Sequence, residues 1–406
     1  MSLSRFLRPL KKLRPFLARR CARSPRLAGF FWLLSGDFRR EHAGVLYGQM
    51  IHTGAIRGRD ELEAEDGPRY TLRRNTHRLE KGLIMRPRRP VFAGDYIGET
   101  VDAYVALADR ARCDTQADLD EGDRLLAAWS GDVLHRYFEA IDPASATKPG
   151  LAERLTNLED AFASAHKSLN VEVGEHAPYR RDLGPLGISY DDMLALAKRR
   201  RSVRWYEQRP VDRSIVDRAI RVAAYSPSAC NRQPFEFRVF DEPEAVHRIG
   251  SIAMGTKGFS DNFPGLVVLV GKLRAYFDAR DRHVIYIDAS LAAMAFQFAL
   301  EVQGVSSCCI NWPDVRSREV EIGRVMDLEP DERVIMLISF GHPDPDGLVP
   351  FSQKKSLDEL RRYNVAPGLA PQPQTEAVKP TREASTATGV PATPGAVAVA
   401  STSQTS

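Results

Sequence analysis

The chain is poor in cysteine, with five among 406 residues, and no two of them form a CxxC pair. That excludes the disulfide framework of a small secreted domain and a paired-thiolate zinc site, and it points to a reducing, cytoplasmic setting. The nine histidines show no metal-ligand spacing. No uninterrupted apolar run approaches the ~20 residues of a membrane-spanning helix; residues 27–34, LAGFFWLL, make the best candidate and fall well short. HExxH, GxSxG and a GxGxxG after a strand pattern are all missing, which removes support for zinc proteolysis, esterase chemistry and a Rossmann dinucleotide site. GSIAMGTK at 250–257 resembles a phosphate loop but fails the pattern, because Thr256 separates Gly255 from Lys257 and Gly258 follows.

Acidic residues are scarce at the N-terminus. Eleven Lys or Arg stand against Asp37 within residues 1–40, so a net charge of +4 for the whole chain conceals an acidic remainder. Such an arm attracts any polyanion, whether anionic lipid, nucleic acid or a targeting receptor. We expect no nucleic-acid partner and keep peripheral membrane contact through residues 1–40 open, with helix packing of residues 27–34 on the body as the first expectation. Pro9, Pro15 and Pro25 interrupt any long amphipathic helix there.

The rest of the chain, with 43% apolar and 27% charged residues, has the composition of a folded protein. Punctuation by proline and glycine at 142–150 and 177–187 suggests boundaries, giving a basic arm at 1–40, a helical domain at 41–185, a second domain at 186–364 and a disordered tail at 365–406. The tail has no aromatic residue beyond Ala366 and cannot bury enough apolar area to offset its ordering entropy. In the helical domain Leu125, Leu126, Trp129, Val133, Leu134, Tyr137, Phe138 and Ile141 recur at three-to-four spacing. A charge-dense stretch at 71–90 holds Arg73, Arg74, His77, Arg78, Glu80 and Lys81, which reads as a solvated, salt-bridged helix face or an anion site. From residue 189 the pattern becomes mixed. Helices are expected at 190–198, 214–225 and 285–304, and strands at Phe235–Phe240, 266–271 and 333–340. The helix from 285 is apolar around most of its circumference, so it belongs in a core or a subunit interface.

Two segments about 25 residues apart carry the candidate chemistry. RRSVR at 200–204 places three guanidinium groups and a hydroxyl at a helix end, suited to a phosphate but also to a favourable helix dipole. SPSACNRQP at 226–234 is too polar and broken for a strand, and its Ser, Asn and Gln offer donors and acceptors to a heteroaromatic ligand.

RRSVRWY, SPSACNRQPFEF, the apolar helix IDASLAAMAFQFALEVQG and the VSSCCIN that follows closely resemble the flavin-dependent nitroreductase family in order, spacing and residue type. The resemblance covers roughly residues 189–364. It implies an α+β fold with a central, mainly antiparallel sheet flanked by helices, preceded here by an added helical domain similar to that of nitroreductase-like proteins associated with polysaccharide biosynthesis. It also implies FMN as cofactor, NADH or NADPH as electron donor, and an intertwined homodimer with FMN at the interface. Arg200, Arg201, Ser202 and Arg204 would hold the phosphate and ribityl chain, joined by Lys354 or Lys355. Pro227, Ser228, Ala229, Asn231 and Gln233 would approach from the other subunit. The backbone of Cys309, Ile310 and Asn311 would lie beside the flavin ring, and Lys257, with Gly255 and Thr256, near its pyrimidine edge. Cys230, Cys308 and Cys309 are expected to pack rather than react.

The reaction so implied passes hydride from the nicotinamide through flavin N5 to an electron-poor small-molecule acceptor in two half-reactions, with no side-chain acid or base required. Two other readings stand beside it: an FMN-binding sensor, or a non-catalytic dimerisation scaffold whose N-terminal region binds a membrane or partner.

Overall fold

A computed structural model describes residues 59–113, 120–169 and 176–365, with the single positions Ser24, Ala28, Val171 and Gly174. Apart from those single positions, the basic arm and its apolar run lie outside the described residues, as does the tail from 366. The chain divides into two units, Met1–Pro350 and Phe351–Ser406.

In the first unit four helices build a helical layer: α1 (Arg59–Leu83), α2 (Ile97–Cys113), α3 (Glu121–Ala140) and α4 (Leu151–Leu169). Asp120 caps α3 by accepting a hydrogen bond from the Asp123 backbone N–H at 2.7 Å. The helical spacing of the sequence delivers one apolar core, in which Leu72, Tyr104, Leu134, Tyr137 and Phe162 are buried. Full burial of each such side chain contributes about 1.5–3 kcal/mol, and Tyr137 also donates its hydroxyl to the Phe92 carbonyl at 2.8 Å. Leu125 departs from the expected stripe and is 60% exposed, because its neighbour Leu126, one helical step on, takes the inward position.

The mixed region follows: α5 (Tyr190–Arg199), α6 (Arg213–Ala223), β1 (Phe235–Phe240), α7 (Pro243–Ile252), β2 (Gly265–Lys272), α8 (Val284–Val302), β3 (Ser306–Asn311), α9 (Arg316–Met326) and β4 (Glu332–Gly341). The strands form one antiparallel sheet in the order β1-β2-β4-β3. The fold is therefore the expected α+β arrangement. β2 reads as a continuous apolar run because both faces of the sheet are covered. Val267 and Leu269 point into a core with Phe296 of α8 and Ala219 of α6; Leu266, Val268 and Val270 point into a second core with Ile249 of α7 and Ile322 of α9.

SSCCIN becomes β3, a strand its small and polar side chains do not announce. Pairing with β4, from Ser306 opposite Gly341 to Asn311 opposite Met336, imposes it. Among the described residues α8 alone is long and apolar enough to cross a bilayer by length and composition, and half of that stretch is buried within the protein. Ile285, Ala289, Ala292, Phe296 and Leu300 face the sheet, while Tyr286, Ile287 and Leu291 are exposed. In the second unit the described residues are exposed and include one short helix, α10 (Leu357–Leu360), closed by a capping box between Ser356 and Glu359.

Candidate active site

α5 starts at a capping box between Ser189 and Asp192 and ends at Arg200. Beyond it the chain runs alongside β3. Ser202 pairs with Ser307 in parallel, and the Val203 N–H donates to the Ser307 carbonyl at 3.2 Å. The first candidate segment thus lies against the strand that the sequence places about a hundred residues later. Tyr206, 3% exposed, pins its far end by donating to the Val203 carbonyl at 2.7 Å.

The basic side chains here have few counter-charges. Arg201 donates to the Pro350 carbonyl. Arg204 reaches the Ser202 carbonyl at 3.3 Å and lies over the Phe259 ring at 5.6 Å. The Nε of Arg200 is buried without a hydrogen-bond partner, and neither Arg200 nor Arg204 forms an ion pair among the described residues. A buried guanidinium nitrogen with no acceptor is costly unless a ligand supplies one.

β3 alternates, with Cys308 and Ile310 turned inward and Cys309 and Asn311 outward. Past Ser307 its outer edge carries no paired strand among the described residues, so backbone groups there are open to a ligand. Burial pushes the Cys308 thiol up, against the pull of Arg204, Ser202 and Arg200. Cys309 is reached by solvent yet has protein mass around it, the signature of a concave surface, and this desolvation pushes its thiol up to about 11. Both are thiols at neutral pH, poor nucleophiles. Nearby, Thr256 is 2% exposed and closes its turn by donating to the Gly250 and Ala253 carbonyls at 2.9 and 3.0 Å. Lys257 beside it is exposed, and the loop continues to Phe259 beneath Arg204.

The second segment folds into a turn at Ala229–Asn231 in which Cys230, Asn231 and Gln233 all have positive φ, between 49° and 55°. Left-handed backbone at non-glycine residues costs about 1–3 kcal/mol each and persists only where the surroundings over-determine it. Asp288 of α8 is that anchor. It is 2% exposed, accepts the Ala229 N–H at 3.2 Å and accepts the Tyr276 hydroxyl. Burial pushes its carboxyl up, while Tyr276 and Ala229 pull it back. Ser228 accepts the Gln233 N–H at 3.0 Å, and Gln233 donates its side-chain amide to the Ala224 carbonyl at 2.8 Å. The sequence analysis missed Asp288; an acid inside an otherwise apolar helix was the available signal.

The two candidate segments sit at different places on α8. Asp288 holds the second, whereas Gln297, nine residues or ~13 Å along the axis, interacts with Cys309 beside the first. Pro227, Ser228, Ala229, Asn231 and Gln233 are therefore grouped with one another, and Arg200, Arg201, Ser202 and Arg204 are grouped with Cys309, Ile310 and Asn311. Lys354 and Lys355 lie in the second unit, exposed.

Residues 197–260 and 253–342 match the family model for nitroreductases. The C-terminal half carries a nitroreductase-family domain. Among curated proteins it is similar to human iodotyrosine deiodinase 1, 24% identical over 234 residues that span 50% of this chain and 78% of the relative. The zebrafish iodotyrosine deiodinase is 25% identical over 46% of this chain and 72% of its own length. Among solved structures it is similar to an FMN-dependent nitroreductase from Clostridium difficile, at 23% identity and a TM-score of 0.37 over 43% of this chain and all of that one, and to a nitroreductase family protein from Streptococcus pneumoniae, at 23% and 0.36 over 42% and 98%. Members of the nitroreductase family typically bind FMN and are commonly homodimers. The residues present in this nitroreductase domain fit an FMN phosphate: the orphaned Nε of Arg200 and the uncompensated Arg204 want an anion, beside the hydroxyl of Ser202. Among the described residues no cluster of three metal-ligating side chains occurs.

Proposed function

We propose that the protein is an FMN-dependent oxidoreductase that takes reducing equivalents from NADH or NADPH and reduces an electron-poor small molecule. The single observation that carries the reading is the juxtaposition of RRSVR with the open edge of β3, a cationic cluster beside unpaired backbone. When bound, FMN supplies two-electron hydride chemistry. The chain's own residues do the rest. Arg200, Arg204 and Ser202, with Arg201, would hold the phosphate. The backbone of Cys309, Ile310 and Asn311 would lie beside the ring, and Lys257 would supply a positive charge that favours the anionic form of the cofactor.

Pro227, Ser228, Ala229, Asn231 and Gln233 complete the site from a second copy of the chain. Supporting this, the Ser226 hydroxyl donates to the Leu291 carbonyl at 3.4 Å, which places the segment beside an apolar surface in which Ile287 and Leu291 of α8 and Val222 and Tyr225 of and after α6 are exposed. A second copy covering that surface would carry the segment into the interface. The deiodinase relatives make reductive dehalogenation one reaction type for the acceptor side.

The test is the visible spectrum of the purified full-length protein before and after anaerobic NADH or NADPH. We expect flavin bands near one FMN per subunit that bleach with one of the two. Bound flavin that neither nicotinamide bleaches would replace the enzyme by a sensor, and failure to bind added FMN would leave a dimerisation scaffold.

A further inference from the structure

The charge-dense stretch of α1 was expected as a solvated, salt-bridged face, and much of it is: Arg74 pairs with Glu99 at 2.9 Å and His77 with Glu80 at 3.3 Å. Arg73 departs from this. Among the described residues its one polar contact is a long 3.4 Å donation to the side-chain oxygen of Gln233. Next to that glutamine stands Arg232, 7% exposed. Its guanidinium stacks over Tyr276 at 4.7 Å and Phe277 at 5.8 Å, its Nε is buried without a hydrogen-bond partner, and it forms no ion pair among the described residues.

Both arginines line one cavity of about 410 Å³, bounded by α1 of the helical layer, the end of α6 and the start of the sheet. That is within the range of small-molecule pockets. Its other walls are apolar or already neutralised. Tyr70, Phe235 and Phe237 supply aromatic surface. Asp123 is paired with Arg69 at 2.6 Å, Asp66 lies within 4 Å of Arg69 and Arg274, and Lys272 pairs with Glu236 at 3.3 Å. Every acid in the wall thus has a partner, whereas neither Arg73 nor Arg232 forms an ion pair among the described residues; Asp288 and Asp123 act on them only at longer range. Burial also holds Arg73 below the ordinary guanidinium range, with no carboxylate near enough to offset it fully, and an arginine does not escape by losing its proton.

We propose that this cavity is a binding site for a small organic anion, a carboxylate or phosphate on an apolar planar body, held by Arg73 and Arg232 with the ring against Tyr70 and Phe237. Two guanidinium groups lining a cavity with aromatic walls match that chemistry. The site is distinct from the Arg200 cluster, and it gives the helical layer a role in recognition, since α1 contributes one of the two cations. It does not depend on the redox reading above.

Isothermal titration of the full-length, flavin-loaded protein with benzoate and with phenyl phosphate, using benzamide as neutral isostere, tests it. Both anions should bind and benzamide should not. Arg73→Met, at a half-buried position, should weaken both by roughly tenfold with FMN content unchanged, and Arg232→Met should weaken both at least as much. Benzoate and phenyl phosphate distinguish the carboxylate from the phosphate source by which binds tighter. No binding to the wild-type protein at millimolar concentration would overturn the proposal. So would binding that Arg73→Met leaves unaltered, or binding that displaces FMN, which would move the anion to the Arg200 cluster.

Discussion

At the scale of single residues the site depends on groups whose cost is offset by a specific neighbour. Asp288 is the clearest. It is a buried carboxylate that holds three left-handed residues in place through the Ala229 N–H and the Tyr276 hydroxyl. Replacing it by alanine leaves both donors unsatisfied, a loss of about 1–3 kcal/mol per group. Asp288→Ala should lower the melting temperature and, because it loosens the second segment, reduce FMN retention; an unchanged flavin content would separate that segment from the cofactor. Arg200 and Arg204 act in the opposite sense. They form no ion pair among the described residues, so Arg200→Ala with Arg204→Ala should cut FMN affinity by roughly two orders of magnitude while the melting temperature of the flavin-free protein holds or rises. Equilibrium dialysis against FMN reads the first, and calorimetry the second. These residues were legible in the sequence as motif members. Their uncompensated state was not, because the absence of a partner is a property of space.

At the scale of elements, the apolar patterns identified helices and strands where one face or both were strongly hydrophobic. Phe235–Phe240 appears with the expected bounds, and β2, β4 and α8 differ by a residue or two. β3, α7 and α9 escaped. β3 is made of small polar residues that pair by register, α7 is a ten-residue helix that opens on Pro243, and α9 has an amphipathic pattern diluted by charge. The link after α4 shows another device the sequence hides. Asp132 of α3 accepts the Gly174 and His176 backbone N–H groups at 2.9 Å each and the His176 ring at 2.8 Å. Burial pushes its carboxyl up, but these hydrogen bonds outweigh that and hold its pKa below the ordinary 3.8. The native form therefore binds fewer protons than the unfolded one. The stabilisation is present above about pH 3.8 and is lost as pH falls through the lower, native value. Acid should release this link before the helical core melts. Hydrogen exchange at Gly174 and His176 would rise below pH 4 in the wild-type protein and be high at all pH values in Asp132→Ala; equal protection in the two would refute the anchor.

At the scale of the whole molecule, the exposed face of α8 bears on the proposed assembly. Tyr286, Ile287 and Leu291 lie outward on a helix that is otherwise core, and the proposed dimer covers them. Light scattering should give twice the 45.3 kDa chain mass, and Ile287→Glu should shift it to a monomer that loses flavin along with its partner. A monomeric wild-type protein that retains FMN would end the shared-site reading.

The sequence by itself determined the class of fold, most of the elements and the residues of both candidate segments, because apolar periodicity and residue chemistry are local properties. Only the tertiary structure decided that RRSVR lies against β3, that Asp288 anchors the second segment, and that Arg73 leaves its expected solvated face to reach Gln233. Each joins residues between 59 and 160 positions apart, and a backbone with two soft dihedrals per residue does not encode such meetings in any short window. They follow from which apolar faces pack together, a choice made by the chain as a whole.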